Sequence, residues 1–436
     1  MDSKFSKFQI ITLVAFGLFI VIGVASFSLY KGNSSSSTAL PMITVWGTFP
    51  KASFDKYLSN MSNTSGTRID VSYVEKSQDQ FSLDFISALA RSQGPDAILI
   101  PSELLLPHKD KLYTIPFTTM TQYDFSNTYI GEAAMYINKD GITGLPFIID
   151  PLVMYWNVDM FDAAGLATYP RYWDDFTALN KTLTVKDKNG NVRKSAIAMG
   201  QFGNIVNARE ILGTLFMQAG NPVTTQNSAG SVFSNIKNGA TVSPVSAIRF
   251  FTQFVNPSSA NYSWNNSMSD SKSAFLSGTL ATYFGFASEL ADIKIKNPNL
   301  RFDVALMPSP KVGGSSSTYG HMYGFSIVRT SQNINAALQI ISTLSMPQYL
   351  GELSAALYLP SVRRDIIAAG SNDPYITLFN KAALVSKAWL DYDPTSTSQI
   401  FSEMIQSFTS GRSTIEQAIQ NAGDKMDASL GKAIIQ

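Results

Sequence analysis

Residues 144–184, GLPFIIDPLVMYWNVDMFDAAGLATYPRYWDDFTALNKTLT, constrain this chain more than any other stretch. A Gly-Leu-Pro turn opens the segment. The apolar run Phe147–Ile149 is interrupted by Asp150 and Pro151, and a second apolar run, Leu152–Trp156, follows. An acid inside such a run is costly to bury unless it finds a partner. Pro151 cannot donate to a sheet ladder, so the run should break or change sheets there. Asn157-Val158-Asp159 leads into a short helix closed by Gly165. Pro170, Trp173, Asp174 and Asp175 read as the start of a second helix with acids in its first turn.

This order resembles the crossover region of the extracellular solute-binding proteins of ABC importers, of the maltose-binding type. There the matching stretch leaves the first lobe, crosses the hinge and enters the second, and the acid matching Asp150 faces the ligand cleft in several relatives. Other segments carry the same resemblance in order: Ile43–Gly47, ITVWG, with the family's first strand; residues 94–105, GPDAILIPSELL, with its third strand and the turn after it; Asp270–Ala287, DSKSAFLSGTLATYFGFA, with a helix-turn-strand unit; and Phe302–Pro308 and Gly324–Arg329 with strands returning to the first lobe. The likeness extends from about residue 42 to the end.

The residues themselves point the same way. With 436 residues the chain is too long for one ordinary core, and two domains are expected. Met42–Gly47, Arg68–Val74 and Ala97–Ile100 read as strands, with helices at about Phe49–Met61 and Phe81–Ser92 between them. Strand-helix-strand-helix-strand within so short a span is an α/β lobe with parallel strands. Further helices are expected at Ala208–Ala219, Ser246–Phe254 and Gly411–Ile435. The fold class is therefore α/β: a two-lobed periplasmic-binding-protein-like fold with hinge crossovers, preceded by one N-terminal transmembrane helix. The expected divisions are 42–149 plus 302–329 for lobe I and 150–301 plus 330–436 for lobe II.

Lys+Arg 33 against Asp+Glu 32 leaves a net charge of +1, which offers no basic footprint for nucleic acid. The absence of cysteine removes disulfides, thiol catalysis and Cys-ligated metals. It also removes the lipidated cysteine that anchors many relatives. Another tether is at hand. Phe8–Tyr30 is 23 residues without a charge; as a helix it spans roughly 34 Å, enough for a hydrocarbon core of roughly 30 Å. Lys4 and Lys7 precede it, so residues 1–7 are read as a cytoplasmic tail, 8–30 as the anchor, and 31–41 as a flexible linker leading to an extracellular body. The alternative is a signal peptide cleaved after Gly23-Val24-Ala25.

Chemistry is sparse. There are two histidines, His108 and His321, and no H-E-x-x-H, G-x-S-x-G, P-loop or G-x-G-x-x-G motif. Asp187, Asn189 and Asn191 have calcium-loop spacing, but the loop lacks the glycine position and terminal Glu of an EF-hand and reads as a plain turn. A sugar site needs flat apolar faces for the CH groups and planar polar groups for the hydroxyls. The resemblance puts Asp150, Trp46, Phe49, Ser102, Glu103, Phe202, Asn204, Phe286, His321, Tyr323 and Phe401 at or near the cleft. Trp46 reads equally as core; Trp264, in the loop Asn261–Asn266, reads as a lid or as exposed; Trp389 and Phe401 are open between site and core. Tyr155-Trp156 reads as sheet, and Arg363 and Arg364 as structural or cleft-rim.

The function implied is capture of a small solute, a carbohydrate first, for an ABC importer. The partners are the permease subunits and, through the N-terminal helix, the membrane. The chain is expected to be a monomer without cofactor, metal or enzymatic activity. A ligand-sensing receptor subunit and a surface hydrolase are the rival readings.

Overall fold

The computed structural model describes residues 41–435 apart from 66–69, 228–230, 238 and 241. The fold is that of the unit formed by residues 42–436. Phe8–Tyr30, read as an anchor, and the linker before residue 41 lie outside the described residues. Among the described residues no helix is long and apolar enough to cross a membrane.

The strands in chain order are β1 (Ile43–Gly47), β2 (Val71–Glu75), β3 (Ala97–Pro101), β4 (Ile115–Pro116), β5 (Gly141–Ile142), β6 (Leu145–Asn157), β7 (Val185–Lys186), β8 (Val192–Ile197), β9 (Thr224–Gln226), β10 (Val232–Ser234), β11 (Leu280–Phe286), β12 (Phe302–Ala305), β13 (Thr318–Ile327) and β14 (Ser386–Lys387). Ten of them form one sheet whose main path runs β2-β1-β3-β13-β6-β11-β8-β7, with β12 beside β6 and β14 beside β13. β1 pairs in parallel with both β2 and β3, as the alternation of strands and helices predicts. The intervening helices are Lys51–Ser65 and Gln78–Ala90, the second burying Phe81, Phe85 and Ala88 at helical spacing.

β6 joins the two halves of this sheet. All of its side chains but Trp156 are buried. Up to Pro151 it pairs antiparallel with β13; from Leu152 it pairs with β11. The strand does not break at Asp150-Pro151, but it changes neighbours there. Proline costs least at such a point, since its missing N–H is not called on by a ladder that is switching sides. The Pro151 carbonyl is used, accepting from Ala287 N–H at 3.0 Å.

β12, expected back in lobe I, pairs with Met154–Asn157 at the far end of β6. The chain returns instead along β13, where Thr318 and Tyr319 pair with β14, Gly320 and His321 lie opposite Pro151 and Asp150, and Tyr323–Ile327 pair with β3. Residues from 330 onward, all expected in lobe II, also divide. Tyr57 Oη donates to the Leu344 carbonyl, Ile130 N–H to Val362 O and Arg364 Nε to Tyr129 O, so this stretch packs on the β1–β3 half. Helices Pro394–Thr409 and Ile415–Ile435 pack on the other half, where Ser234 N–H donates to Asp427.

Candidate functional site

Directly opposed residues of an antiparallel pair project to one face. His321 lies opposite Asp150 and Tyr323 opposite Ile148, so Asp150, His321 and Tyr323 share one face at the join of the two half-sheets. Tyr323 also lies opposite Pro101, the last residue of β3. The one-turn 3-10 helix Ser102–Leu104 begins immediately after it and carries Glu103 to the same point. From the other half, β11 ends at Phe286, opposite Leu152. Two crossing strands, β6 and β13, and two strand ends, those of β3 and β11, thus converge on five of the residues singled out by the sequence: Glu103, Asp150, Phe286, His321 and Tyr323.

Their contacts are specific. His321 Nδ1 is 2.5 Å from Glu103 Oε1. The Phe286 ring lies 4.4 Å from the imidazole, centroid to centroid, and the Tyr319 ring 5.1 Å from it. Asp150 Oδ1 accepts from Ser288 N–H at 2.9 Å. Burial pushes the Asp150 carboxyl up to about 6, against the pull of the Ser288 hydrogen bonds and the His321 charge. Burial would likewise raise Glu103, but the His321 charge and hydrogen bond and the more distant Arg209 hold it below the usual carboxylate value. Burial disfavours the His321 cation, yet Glu103 raises it above the ordinary imidazole value. Each partner thus favours the charged form of the other.

Glu132 was not singled out by sequence. It is buried, and neither carboxylate oxygen has a hydrogen-bond partner among the described residues. Burial, then the charge of Glu103, raises it well above the usual range, so it is a neutral acid. A β-carbon on Gly320 would come within 2.9 Å of its Oε2, which is why the strand carries glycine opposite Pro151. Ser102 Oγ and Glu103 Oε2 are also buried without a partner among the described residues.

Beside this cluster lies a second, also missed. Arg209 donates to Asp391 at 2.6 Å, to Glu210 at 2.8 Å and to Tyr319 Oη at 3.4 Å, and its guanidinium lies 4.4 Å from the Trp389 ring. An Arg-Glu pair opening the otherwise apolar helix Ala208–Gln218 was the available signal. Trp389 is buried against Arg209 and Tyr319.

Phe49 touches the cluster through Tyr323, and Ser102 shares the turn of Glu103; the remaining candidates are not brought to this point. Phe49 is buried with its ring edge-on to Phe147 and Tyr323. Trp46 is half-buried, with Lys76 Nζ 4.2 Å over its ring. Phe401 is fully buried against Phe216 and Trp389. Phe202 is half-buried at the edge of the core. Asn204 is occupied by its own loop, donating to the Asn265 and Met268 carbonyls and accepting from Trp264 Nε1. Trp264 is neither lid nor exposed: it is fully buried. Arg363 pairs with Asp365 and supports the backbone at Ser345. Asp187 accepts from the Asn189 and Asn191 N–H groups, the geometry of a closed turn.

Residues 60–376 match the model of the family described as bacterial extracellular solute-binding protein. Solved structures with the same fold include the sugar-binding protein MalE of Xanthomonas citri, 16% identical, TM-score 0.72, with 90% of this chain and 98% of that chain covered. The cyclic alpha-maltosyl-1,6-maltose binding protein of Arthrobacter globiformis is 17% identical, TM-score 0.71, covering 90% and 100%. An ABC substrate-binding protein of Listeria monocytogenes in complex with cycloalternan is 16% identical, TM-score 0.66, covering 89% and 99%. Comparison with curated protein sequences returns no significant match. A two-lobed α/β architecture and a family match over most of its length make the chain a binding protein, not a catalyst, and a member of the bacterial extracellular solute-binding protein family.

Proposed function

We propose that this protein captures a carbohydrate at the join of its two half-sheets and delivers it to the permease of an ABC importer. One observation carries the reading: a close His321–Glu103 pair, an aromatic ring tilted against the imidazole and a second acid opposite it converge from both halves. Such a group offers what a polyol needs. Glu103 Oε2 and Asp150 accept hydroxyl hydrogen bonds, each charge-assisted bond being worth about 1.5–3 kcal/mol. Phe286 offers a flat face for CH groups. The similar proteins named for sugars support the choice of carbohydrate. Closure of the halves about Asp150-Pro151 and Thr318–His321 would bury the sugar. Phe8–Tyr30 acts as an uncleaved anchor that keeps the body at the outer face of the membrane, which also supports delivery to a permease.

The test is a thermal-shift screen over oligosaccharides, polyamines and phosphate esters, followed by calorimetric titration. A bound sugar at 100 times its dissociation constant should stabilise the protein by about 2.7 kcal/mol. A shift from a polyamine or phosphate ester, with none from any sugar, overturns the carbohydrate reading. Mass spectrometry of membrane-extracted protein tests the anchor, which a mature N-terminus at Ser26 would exclude.

A further inference from the structure

A groove of about 1090 Å³ lies between helix Val245–Thr252 with the loop after it and the C-terminal end of helix Pro394–Thr409. It shares no residue with the cluster around His321. It exceeds the 300–1,000 Å³ usual for a small-molecule pocket, and a separate hollow of about 450 Å³ shares Gln406 and Arg412 with it.

The chemistry of the lining is one-sided. Arg249 and Arg412 face it, and no Asp or Glu lines it. Among the described residues neither guanidinium has a carboxylate partner; Arg412 Nε donates only to Ser410 Oγ, at 3.0 Å. Two other exposed arginines do have such partners, Arg193 in Asp187 and Arg301 in Asp159 and Asp162. Carboxamides supply most of the remaining polar groups: Gln201, Gln253, Asn256, Asn266 and Gln406. The half-buried Phe408 is the one aromatic residue in it.

We infer that this groove is a second binding site, for an acidic oligosaccharide. Planar amides match vicinal hydroxyls, a phenyl ring matches the CH face of a pyranose, and an unpaired guanidinium takes a carboxylate or sulfate in bidentate fashion. A protein partner is disfavoured because such an interface centres on an apolar, desolvated patch, whereas this lining is polar throughout, apart from Phe408, Val255 and Pro257.

The experiment is calorimetric titration of the full-length protein in detergent with hexagalacturonate, maltohexaose and hexaglutamate. Hexagalacturonate should bind, with affinity falling as salt rises. Arg249→Gln and Arg412→Gln, both exposed, should each weaken it at least tenfold without moving the melting temperature, while Asp150→Asn leaves it unchanged. Failure of hexagalacturonate to bind, or binding indifferent to both arginine variants, overturns the proposal. Hexaglutamate binding as tightly as hexagalacturonate overturns it in favour of an acidic protein surface. Loss on Asp150→Asn, with the arginine variants intact, assigns the acidic sugar to the His321 cluster and leaves the groove empty. None of these results bears on whether a neutral sugar binds at His321, which the oligosaccharide screen decides separately.

Discussion

Around Arg209 the buried acceptors are satisfied, and around Asp150 they are not. Arg209 is held by Asp391 and Glu210, and the second oxygen of Asp391 is itself taken by Thr397 Oγ1 at 2.8 Å and Asp393 N–H at 3.1 Å. Beyond Tyr319, which touches both groups, Glu103, Glu132 and Asp150 have one imidazole among them. The first arrangement satisfies its acceptors within the chain. The second keeps acceptor capacity unused, with Glu103 Oε2 and both Glu132 oxygens lacking partners among the described residues. Unused buried acceptors destabilise a fold. Their position where the two half-sheets meet is what the proposed sugar site rests on.

The sharpest way to break this contrast is Asp391→Ala. If the Arg209 cluster is architectural, removing the more deeply buried of its two carboxylates should cost up to about 3–5 kcal/mol in denaturant unfolding. A stable variant would remove the distinction between the clusters.

Asp150→Asn should act in the opposite direction. An acid raised from 3.8 to about 6 binds its proton more tightly in the folded state. Its contribution to stability is fully present below 3.8 and is lost as pH rises through 6, a change of about 3 kcal/mol. Asparagine retains the acceptor for Ser288 N–H without the charge. The variant should therefore gain up to about 3 kcal/mol at pH 7, lose the pH dependence between 4 and 6, and bind sugar at least tenfold more weakly. Unfolding curves across pH and one titration check all three, and lowered stability at pH 7 with unchanged affinity would make Asp150 structural.

A double-mutant cycle on Glu103→Gln and His321→Gln comes next, with a coupling of about 1–3 kcal/mol. Stability from the raised His321 is present below 6.5 and lost as pH rises through its folded value; stability from the lowered Glu103 is present above 4.5 and lost as pH falls through its folded value. The coupling should thus be largest between 4.5 and 6.5, and a coupling that keeps growing into alkaline solution would contradict an ionic pair. The smallest effect belongs to Lys76→Met, which removes a cation from the Trp46 face at roughly 0.5–1 kcal/mol in stability. Affinity should not change; a rise would return Trp46 to the ligand site.

Much of this architecture is legible before folding. Apolar periodicity marks the alternating strands and helices of residues 42–101 because burial on one face imposes it locally. Asp150 stands out because an acid in an apolar run demands a reason, and Glu103, Phe286, His321 and Tyr323 follow from resemblance. Phe401 and Asn204 lie away from the His321 cluster for a common cause. Sequence marks them as able to stack or hydrogen-bond, but neighbours that only folding supplies, Phe216 and Trp389 for one and the loop carbonyls of Asn265 and Met268 for the other, occupy them.

What the sequence determined alone is therefore local: the class of fold, the order of its elements and the odd acid at the crossover. Only the tertiary structure decided that β12 stays with the far end of β6, that β13 carries the chain back, and that Arg209 meets Asp391 across 182 residues. It also decided that Glu132 lies under Gly320 without a partner among the described residues. Hydrophobic periodicity reports that a side chain is buried and on which face. It carries no record of which distant segment covers that face, and at a site where two crossing strands and two strand ends meet the covering segment determines each acid's charge.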